Sequence, residues 1–363
     1  MSSGDRPTVL HYVGGDDDRG GIVSVVRALA GAGRFACLLG VNPGFQSRRA
    51  PPLPVLELPR VTGESIGWRT MWQARAVARA AREWLRAEPD RVFHGRSRAG
   101  LLAALWLEWM GERRVVASVH CLGRQRWFYR WAAGRLGPRL VWLGPAMKGY
   151  YGVGDASWAG CVPDCVVFAE TRARPVRAKA EVRCGCVGTL VPVKQWELVL
   201  RALARVPAAV SLRMIHAGAE DGTRASADYA AYLKKLADEL GVAARVEWRG
   251  QVDDMAGFFS DVDCVVVAAR REASSVAALE AAAAGMPVLA SDAAGTRDLV
   301  ETAGCGGLFR ADDADDLAAK LQQLAAGGAF SCPDPARERL QPFSAPAVAR
   351  QWEEIYAQLS DGE

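Results

Sequence analysis

The stretch Arg270–Val288, RREASSVAALEAAAAGMPV, decides the fold of this chain. Its alanine run is strongly helix-forming, Ser274 or Ser275 is a suitable N-cap, and Gly285 with the proline two residues later ends the helix. An apolar run over Cys264–Ala268 precedes it and predicts a buried strand. The chain therefore passes from a strand through a loop into a helix, whose free N–H groups and positive dipole end favour an anion.

Two glutamates lie within this stretch. Glu272 is in the loop at the start of the predicted helix, and Glu280 is about a turn and a half inside it, as the only charged residue there. A carboxylate among apolar residues is costly unless it is hydrogen-bonded. The partner of Glu280 is either a ligand hydroxyl or the neighbouring backbone.

The same alternation of strand and helix runs through the whole chain and predicts an α/β fold with parallel, doubly wound sheets. In the first half, apolar runs predict strands at Thr8–Val13, Ala36–Val41, Val55–Leu58, Arg91–His94, Val115–His120 and Leu140–Leu143. In the second half they predict strands at Arg183–Val187, Leu212–Ala217, Val246–Trp248, Cys264–Ala268 and Val288–Ala290.

A polar, basic segment with a proline, residues 170–182, predicts a linker between two Rossmann-like domains. We expect an N-terminal domain over residues 1–170, a C-terminal domain over 171–342, and a last helix over 343–363 that crosses back to the first domain. Ligands of such folds bind at the carboxyl ends of the strands, so the expected site is the cleft between the two domains.

Composition excludes several classes of protein. Half of the 363 residues are hydrophobic, 24% are charged, and the mean hydropathy is about zero, as in ordinary globular proteins. The sequence has neither a membrane-length apolar run nor an apolar signal core at its N-terminus, so we expect a cytoplasmic protein. Its four histidines and nine cysteines show no metal-ligand spacing, so no metal site is predicted.

The two halves differ in charge. Residues 1–170 contain 23 basic and 14 acidic residues and nine of the 12 tryptophans, whereas the remainder contains 22 basic and 27 acidic residues. Within the first half, Arg124–Trp131 interleaves arginines with aromatic residues. This pattern fits a surface for an anionic acceptor or a lipid headgroup, or else a helix with a solvated arginine face and a buried aromatic face. No nucleic-acid-binding motif is present, so no nucleic-acid partner is expected.

The stretch around Glu272 and Glu280 resembles the signature of the group 1 retaining glycosyltransferases (glycosyltransferase family 4), in which seven residues separate two glutamates. Glu280–Val288 matches the continuation E-A-x-A-x-G-x-P-V of that family. The resemblance covers nearly the whole chain. It implies the GT-B fold, in which two Rossmann-like domains face each other across a cleft, the N-terminal one binding the acceptor and the C-terminal one the nucleotide-sugar donor.

Further motifs fall in register with that family. Val187–Lys194 resembles the strand-end pattern G-R-L-x-x-x-K, which implies that Lys194 binds the donor diphosphate, although a solvated loop lysine is the alternative. Thr189 stands where the family usually has arginine. Arg270 or Arg271 is the candidate substitute.

Three turns and one histidine also resemble family motifs. Gly250 and Val252 match a G-x-V turn that passes the base, Gly20-Gly21 matches a G-G loop that approaches the donor, and Ala294–Thr296 matches a glycine-rich turn. A plain strand-to-helix connection is the alternative for each turn. His120 resembles the histidine of T-x-H, which contacts the donor sugar, or else it is a buried imidazole.

The resemblance implies transfer of a sugar from a UDP- or GDP-sugar to a saccharide or lipid-linked acceptor, with retained configuration and without a metal or other cofactor. Cell-surface polysaccharide or glycolipid synthesis is the expected setting, and the basic, tryptophan-rich half adds an expectation of peripheral membrane binding. The alternative is an epimerase-like or catalytically degenerate nucleotide-sugar-binding protein of the same fold. The expected catalytic residues are His120, Lys194 and Glu272; the expected donor-binding residues are Gly20, Gly21, Thr189, Gly250, Val252, Ser274, Ser275, Val276 and Glu280.

Overall fold

The computed structural model describes residues 6–18, 20–62, 66–154, 160–168, 181–327 and 338–360. The chain divides into two units. One contains Met1–Val166 together with Pro342–Glu363, and the other contains Val167–Gln341. Most of the linker predicted over residues 170–182 lies outside the described residues.

The first unit is built on a parallel six-stranded sheet in the order β3-β2-β1-β4-β5-β6. Consecutive strands are neighbours except where the order reverses between β1 and β4. In this sheet β5 is buried along its whole length, as expected for a parallel strand covered on both faces. The strands are β1 (Thr8–Tyr12), β2 (Ala36–Val41), β3 (Val55–Glu57), β4 (Arg91–Gly95), β5 (Val115–Val119) and β6 (Leu140–Trp142).

In the described part of the first unit, six α-helices cover the sheet. The last one comes from the C-terminus of the chain and packs against α1 and β4, with Trp352 and Tyr356 buried. The helices are α1 (Gly21–Ala32), α2 (Trp68–Ala87), α3 (Arg98–Trp109), α4 (Arg126–Leu136), α5 (Pro145–Tyr151) and α12 (Ala345–Ser360).

The second unit repeats this architecture with a sheet in the order β12-β11-β10-β7-β8-β9, again parallel. Here the strand order reverses between β7 and β10. Its strands are β7 (Val182–Val187), β8 (Leu212–Ala217), β9 (Val246–Trp248), β10 (Cys264–Val267), β11 (Val288–Ser291) and β12 (Gly306–Phe309). Its helices are α6 (Trp196–Arg205), α7 (Arg224–Glu239), α8 (Met255–Asp261), α9 (Val276–Ala283), α10 (Ala294–Ala303) and α11 (Ala314–Ala325).

The predicted doubly wound α/β fold is confirmed, and each predicted strand is present with its ends shifted by at most one residue. Among the strands and α-helices described, α5, α10 and β12 were not predicted, and α4 was one of the two interpretations of Arg124–Trp131. The segment β12 begins with two glycines, which weaken a strand signal. Ala294–Thr296, predicted as a turn, is instead the first turn of α10.

The stretch Arg124–Trp131 combines features of both interpretations offered for it. It enters α4, and Phe128 and Tyr129 are buried, as expected for a helix with an aromatic inner face. Trp127 and Trp131, four residues apart on the same helix face, are 64% and 52% exposed. The helix therefore buries one pair of aromatic residues and presents another to solvent.

Two glycines of the second unit allow its loops to touch. A Cβ atom on Gly218, which has φ +152°, would lie 1.9 Å from the carbonyl oxygen of Gly188. A Cβ atom on Gly295 would lie 1.8 Å from the carbonyl oxygen of Ala273. The loops after β7 and β8, and the start of α10 against the loop after β10, are thus in direct backbone contact.

We expect Gly295→Ala to destabilise the protein by roughly 1–3 kcal/mol, because the added methyl group meets backbone that cannot move aside cheaply. The matched control is Gly134→Ala, also within a helix, where the added Cβ meets nothing within 4 Å. There the ordinary helix preference for alanine should leave stability unchanged or raise it by up to about 1 kcal/mol. Thermal unfolding of the two variants measures the difference, and a stabilising Gly295→Ala would contradict this packing.

Candidate functional site

The reversal of strand order between β7 and β10 places two functional loops side by side, as at the ligand sites of doubly wound sheets. Lys194 lies on the loop after β7, and Glu272 lies on the loop after β10. Lys194 Nζ is 2.6 Å from Glu272 Oε2, and the two side chains are 27% and 14% exposed. The backbone N–H of Arg270 donates to the carbonyl of Val193 at 3.2 Å. The structure therefore joins the two predicted residues in one ion pair.

A second set of polar contacts, centred on Asp312, lies beside this ion pair. Asp312 Oδ1 accepts from Gln195 Nε2 at 2.5 Å and from Arg270 Nε at 2.9 Å, and Arg270 Nη2 lies 2.9 Å from the same oxygen in an ion pair. Gln195 and Asp312 have φ values of +55° and +63°, a conformation that non-glycine residues adopt at an energetic cost. The bonds to Asp312 hold Arg270 beside the Lys194 loop.

The start of α9 adjoins Glu272 in the sequence. Ser275 is the N-cap, and its hydroxyl oxygen accepts from the backbone N–H of Ala278 at 3.3 Å, which decides between the two predicted serines. Val276 is the first helical residue, Ser274 precedes the cap and is half-buried, and Glu280 lies half-buried in the helix. The N–H groups of the first turn point out of the helix start, where an anion is stabilised.

The remaining donor-side residues lie on loops at the same edge of this sheet. Gly250, with φ +67°, accepts from the N–H of Gly218 at 2.7 Å, and Val252 follows it half-buried. The carbonyl of Thr189 accepts from the indole N–H of Trp196 at 3.0 Å. The loops after β7, β8, β9 and β10 thus all contribute to one edge.

Three predicted residues belong to the other unit, at the carboxyl ends of its strands. Gly20 is the N-cap of α1 with φ +109°, and Gly21 begins that helix; both are exposed, and a Cβ on Gly20 would meet nothing within 4 Å. His120 directly follows β5, and its side chain is 7% exposed. His120 Nε2 is 2.7 Å from the hydroxyl of Ser118, and Nδ1 is 3.3 Å from Asp164 Oδ1.

Some residues that shape these loops gave no sequence signal. Asp312 and Gln195 are 117 positions apart and meet only in the folded chain. His216, near the end of β8, is buried between Trp196 and Trp248, with ring centroids 4.9 and 5.3 Å away. A histidine beside two tryptophans could have been noticed only after β8 and β9 had been paired.

In the part of the chain that the structure describes, no group of three or more histidine, cysteine, aspartate or glutamate side chains is arranged to hold a metal ion. In the same part, no helix combines the length and the apolar character needed to cross a membrane.

Solved structures with this architecture span the whole chain. HepE from Anabaena, solved in complex with UDP and glucose, superposes with a TM-score of 0.77 at 17% identity, covering 97% of this chain and all of HepE. Sucrose-phosphate synthase from Thermosynechococcus elongatus superposes with a TM-score of 0.78 at 19% identity, covering 99% of this chain and all of that one. These similarities confirm the predicted GT-B fold.

The family model for glycosyl transferases group 1 matches residues 167–341, which are the residues of the second unit. We call this segment the group 1 domain, after the family model that it matches. D-inositol 3-phosphate glycosyltransferase of Mycobacterium marinum is 37% identical over 141 residues, which are 38% of this chain and 29% of that relative. The chain therefore spans under a third of the curated relative's length, and the group 1 domain contains Lys194, Glu272 and Glu280.

The group 1 domain should lose stability in acid because of His216. Burial lowers the pKa of His216 from 6.5 to about 4, so between these values the unfolded chain binds a proton that the folded chain does not. Stability therefore falls as the pH drops through this window. We expect His216→Leu to be more stable relative to wild type at pH 5 than at pH 8, by roughly 2 kcal/mol. Urea unfolding of both proteins at the two pH values tests this, and an equal difference at both would refute it.

Proposed function

We propose that this chain is a glycosyltransferase that takes its sugar from a nucleotide-diphosphate sugar, a UDP- or GDP-sugar. The observation that carries the proposal is the Lys194–Glu272 pair at the strand reversal of a group 1 glycosyl transferase domain, beside the N-terminus of α9. HepE, which has the same fold, was also solved with UDP-glucose. A cation and a helix start supply what a diphosphate requires, and a carboxylate supplies what sugar hydroxyls require.

In the proposed reaction, catalysis is mainly stabilisation of the leaving group. The bond from the sugar's anomeric carbon to the diphosphate oxygen breaks, while a bond to an acceptor oxygen forms on the same face, and the acceptor's proton passes to the leaving phosphate. Lys194 and the N–H groups near Ser275 and Val276 stabilise the developing negative charge. When the donor binds, Lys194 either leaves Glu272 for the diphosphate or contacts both groups. Glu272 then accepts hydrogen bonds from the donor sugar.

Arg270 is the proposed substitute for the arginine that the family usually has at position 189. Thr189 offers no charge, and its carbonyl already accepts from Trp196. The backbone N–H of Arg270 donates to the carbonyl of Val193, and two nitrogens of its guanidinium contact Asp312. A guanidinium fixed in this way can bind a phosphate with its remaining donors.

We assign the other residues by the same resemblance. Gly250 and Val252 contact the base, and Glu280 binds the ribose hydroxyls. Gly20, Gly21 and His120 act on the sugar and phosphate from the first unit. The proposal includes retention of configuration and turnover without a metal ion, because cationic side chains and helix N–H groups take the place of a cation.

The donor assignment is tested by calorimetric titration with UDP and with GDP. We expect Glu280→Gln to weaken binding of the correct nucleotide by roughly 10- to 100-fold, since a charged hydrogen-bond acceptor for the ribose is lost. Glu272→Gln should leave nucleotide affinity nearly unchanged and chiefly lower turnover, which should persist in EDTA. Lys235→Ala, at an exposed lysine of the same unit, is the control. Equal nucleotide affinity in wild type and Glu280→Gln would contradict the ribose assignment.

Incubation with a nucleotide sugar alone separates the proposal from its alternative. A glycosyltransferase should slowly release free sugar of unchanged anomeric configuration. Conversion of the donor into its epimer would instead identify an epimerase-like enzyme, and binding without any conversion would identify a degenerate donor-binding protein.

We also propose a lipid-linked or anionic saccharide acceptor and peripheral binding of the first unit to the inner face of an anionic membrane. Three neighbouring helices, α2, α3 and α4, expose large aromatic side chains. Trp68, Trp72 and Trp109 are 70%, 45% and 73% exposed, in addition to the two exposed tryptophans of α4. Tryptophan with arginine is the composition of protein surfaces that lie at the headgroup level of a bilayer.

Four of the five tryptophans of α2 and α3 form a connected cluster. Ring centroids of Trp68 and Trp72 are 5.4 Å apart, those of Trp72 and Trp106 are 6.2 Å apart, and those of Trp106 and Trp109 are 5.1 Å apart. The Arg75 guanidinium lies 5.3 Å from the ring of Trp72 and 5.4 Å from that of Trp106. A contiguous exposed aromatic patch of this kind marks an interaction surface.

Vesicle co-sedimentation tests the membrane proposal. The wild-type protein should bind vesicles that contain phosphatidylserine at low salt and less at high salt, because screening weakens the arginine contribution. The triple variant Trp68→Ala, Trp72→Ala, Trp109→Ala should bind roughly tenfold or more weakly, since it loses apolar contact area. Tyr232→Ala, an exposed aromatic of the other unit, is the control. Absence of vesicle binding at low salt would favour a soluble acceptor.

A further inference from the structure

A chain of buried polar side chains runs through the first unit and ends at His120. Three of the protein's four histidines belong to this region: His11 on β1, His94 on β4 and His120 after β5. His11 and His94 face each other across the β1–β4 register and are fully buried. Arg96, just after β4, is 1% exposed. Buried polar groups of this kind are nearly always hydrogen-bonded, because an unpaired one costs free energy.

The contacts form one continuous path. The guanidinium of Arg96 lies beside the hydroxyl of Tyr356 on α12, where it can donate to that oxygen. That hydroxyl is 2.7 Å from His94 Nδ1, and His94 Nε2 is 2.9 Å from the hydroxyl of Ser118. Ser118 in turn is 2.7 Å from His120 Nε2. The path therefore links the last helix of the chain to the residue that follows β5.

Arg96 gives this path a direction, because a guanidinium can only donate. The oxygen of Tyr356 accepts from Arg96, so its own proton is donated to His94 Nδ1. Burial and nearby Arg96 hold the pKa of His94 well below its usual value, so the ring is neutral and its single proton is on Nε2. His94 then donates to Ser118, and Ser118 donates to His120 Nε2.

The consequence for His120 is a defined tautomer. With Nε2 occupied as an acceptor, a neutral His120 carries its proton on Nδ1, the nitrogen that lies 3.3 Å from Asp164 Oδ1. The hydrogen bond from Ser118 therefore fixes which nitrogen of a neutral His120 ring carries the proton.

Arg96 also donates to a second buried histidine, which is neutral for the same reason as His94. Arg96 Nε donates to His11 Nδ1 at 2.9 Å, and His11 Nε2 is 3.4 Å from Cys37 Sγ. Burial and Arg96 lower the pKa of His11 well below its usual value. The guanidinium also lies 5.2 Å from the centre of the Trp352 ring. Arg96 is thus surrounded by neutral acceptors and an aromatic face.

The distances among Ser118, His120 and Asp164 resemble those of a hydrolase triad, but the burial excludes that chemistry. Ser118 is 2% exposed, lies within β5, and already accepts from His94. A nucleophilic serine must reach an external carbonyl or phosphoryl group. Ser118 is therefore a link in the path rather than a nucleophile.

We propose that Arg96 and Tyr356, acting through His94 and Ser118, are positioning residues that hold His120 as the neutral tautomer with its proton on Nδ1. The proposal rests on the proposed function only in giving His120 a role in sugar transfer. It makes α12 part of the functional site, since the helix supplies the hydroxyl between Arg96 and His94.

The test is nitrogen–proton long-range NMR of the imidazole rings in the full-length protein without substrate. With four histidines, each ring can be assigned by substitution. We expect His120 in wild type to carry its proton on Nδ1. Ser118→Ala and Tyr356→Phe should each shift the tautomer ratio of His120 by roughly fivefold toward Nε2–H, the effect of losing one buried hydrogen bond.

The matched control is Tyr12→Phe, which removes another buried hydroxyl of the same unit that has no hydrogen-bond partner. It should leave the His120 ratio unchanged. An Nε2–H tautomer in wild type, or an unchanged ratio in Tyr356→Phe, would overturn the proposal. These readouts need no donor, so a failed test of glycosyl transfer leaves them intact, and the converse also holds.

A kinetic measurement then shows whether the tautomer matters for transfer. If the proposed function holds, Tyr356→Phe should lower kcat by roughly the same fivefold while changing the KM for the donor less, since donor binding lies mainly with the other unit. Circular dichroism and thermal unfolding confirm that each variant is folded. An unchanged kcat in a variant whose tautomer has shifted would overturn the functional part of the proposal.

Discussion

The ion pair between Lys194 and Glu272 depends on the one place in the second sheet where strand order reverses. At this point the connections from β7 and β10 run to opposite sides of the sheet and leave a crevice at its edge. The two opposite charges on these loops can meet in the crevice without being buried in the core. Gly295 allows the start of α10 to approach the loop that bears Glu272, and its N–H donates to the Glu272 carbonyl at 3.1 Å. Asp312 fixes Arg270 on the same loop. The pair thus keeps two charges that a donor would need close together and partly neutralised.

The sequence predicted the strands well because parallel strands buried on both faces are continuous apolar runs, such as Val115–Val119. It also located Glu272, Glu280 and the serine cap, since these follow a strand and precede an alanine run with little ambiguity. Asp312 could not be found in this way, because it matters only through contacts with Gln195 and Arg270, which are 117 and 42 positions away. Tyr356 is further still from its partner His94, at 262 positions.

The number of tryptophans in the sequence did not predict which of them are buried and which are exposed. The nine tryptophans of the first half were known from the sequence, but burial divides them: Trp142 is buried, whereas Trp68 and Trp109 are among the most exposed large side chains described. On α4, residues adjacent in sequence point in different directions, so Phe128 is buried and Trp127 is exposed. Composition gave only the number of tryptophans, and the packing of α2, α3 and α4 shows which of their rings are exposed.

The two units differ in where their charged side chains lie: at a partly exposed edge in the second unit, and in the core, as Arg96, in the first. In the group 1 domain, Lys194, Glu272, Arg270 and Asp312 remain charged at a partly exposed edge, where ion pairs form at little desolvation cost. In the first unit, Arg96 is buried without a carboxylate among its described hydrogen bonds; His11 accepts from its Nε instead, and the Tyr356 hydroxyl lies beside the guanidinium. A single buried donor then orders every proton along the path to His120. Charge at one edge suits a diphosphate, because cationic side chains stabilise the negative charge that develops on the leaving group, whereas the buried path gives the imidazole of His120 a defined tautomer.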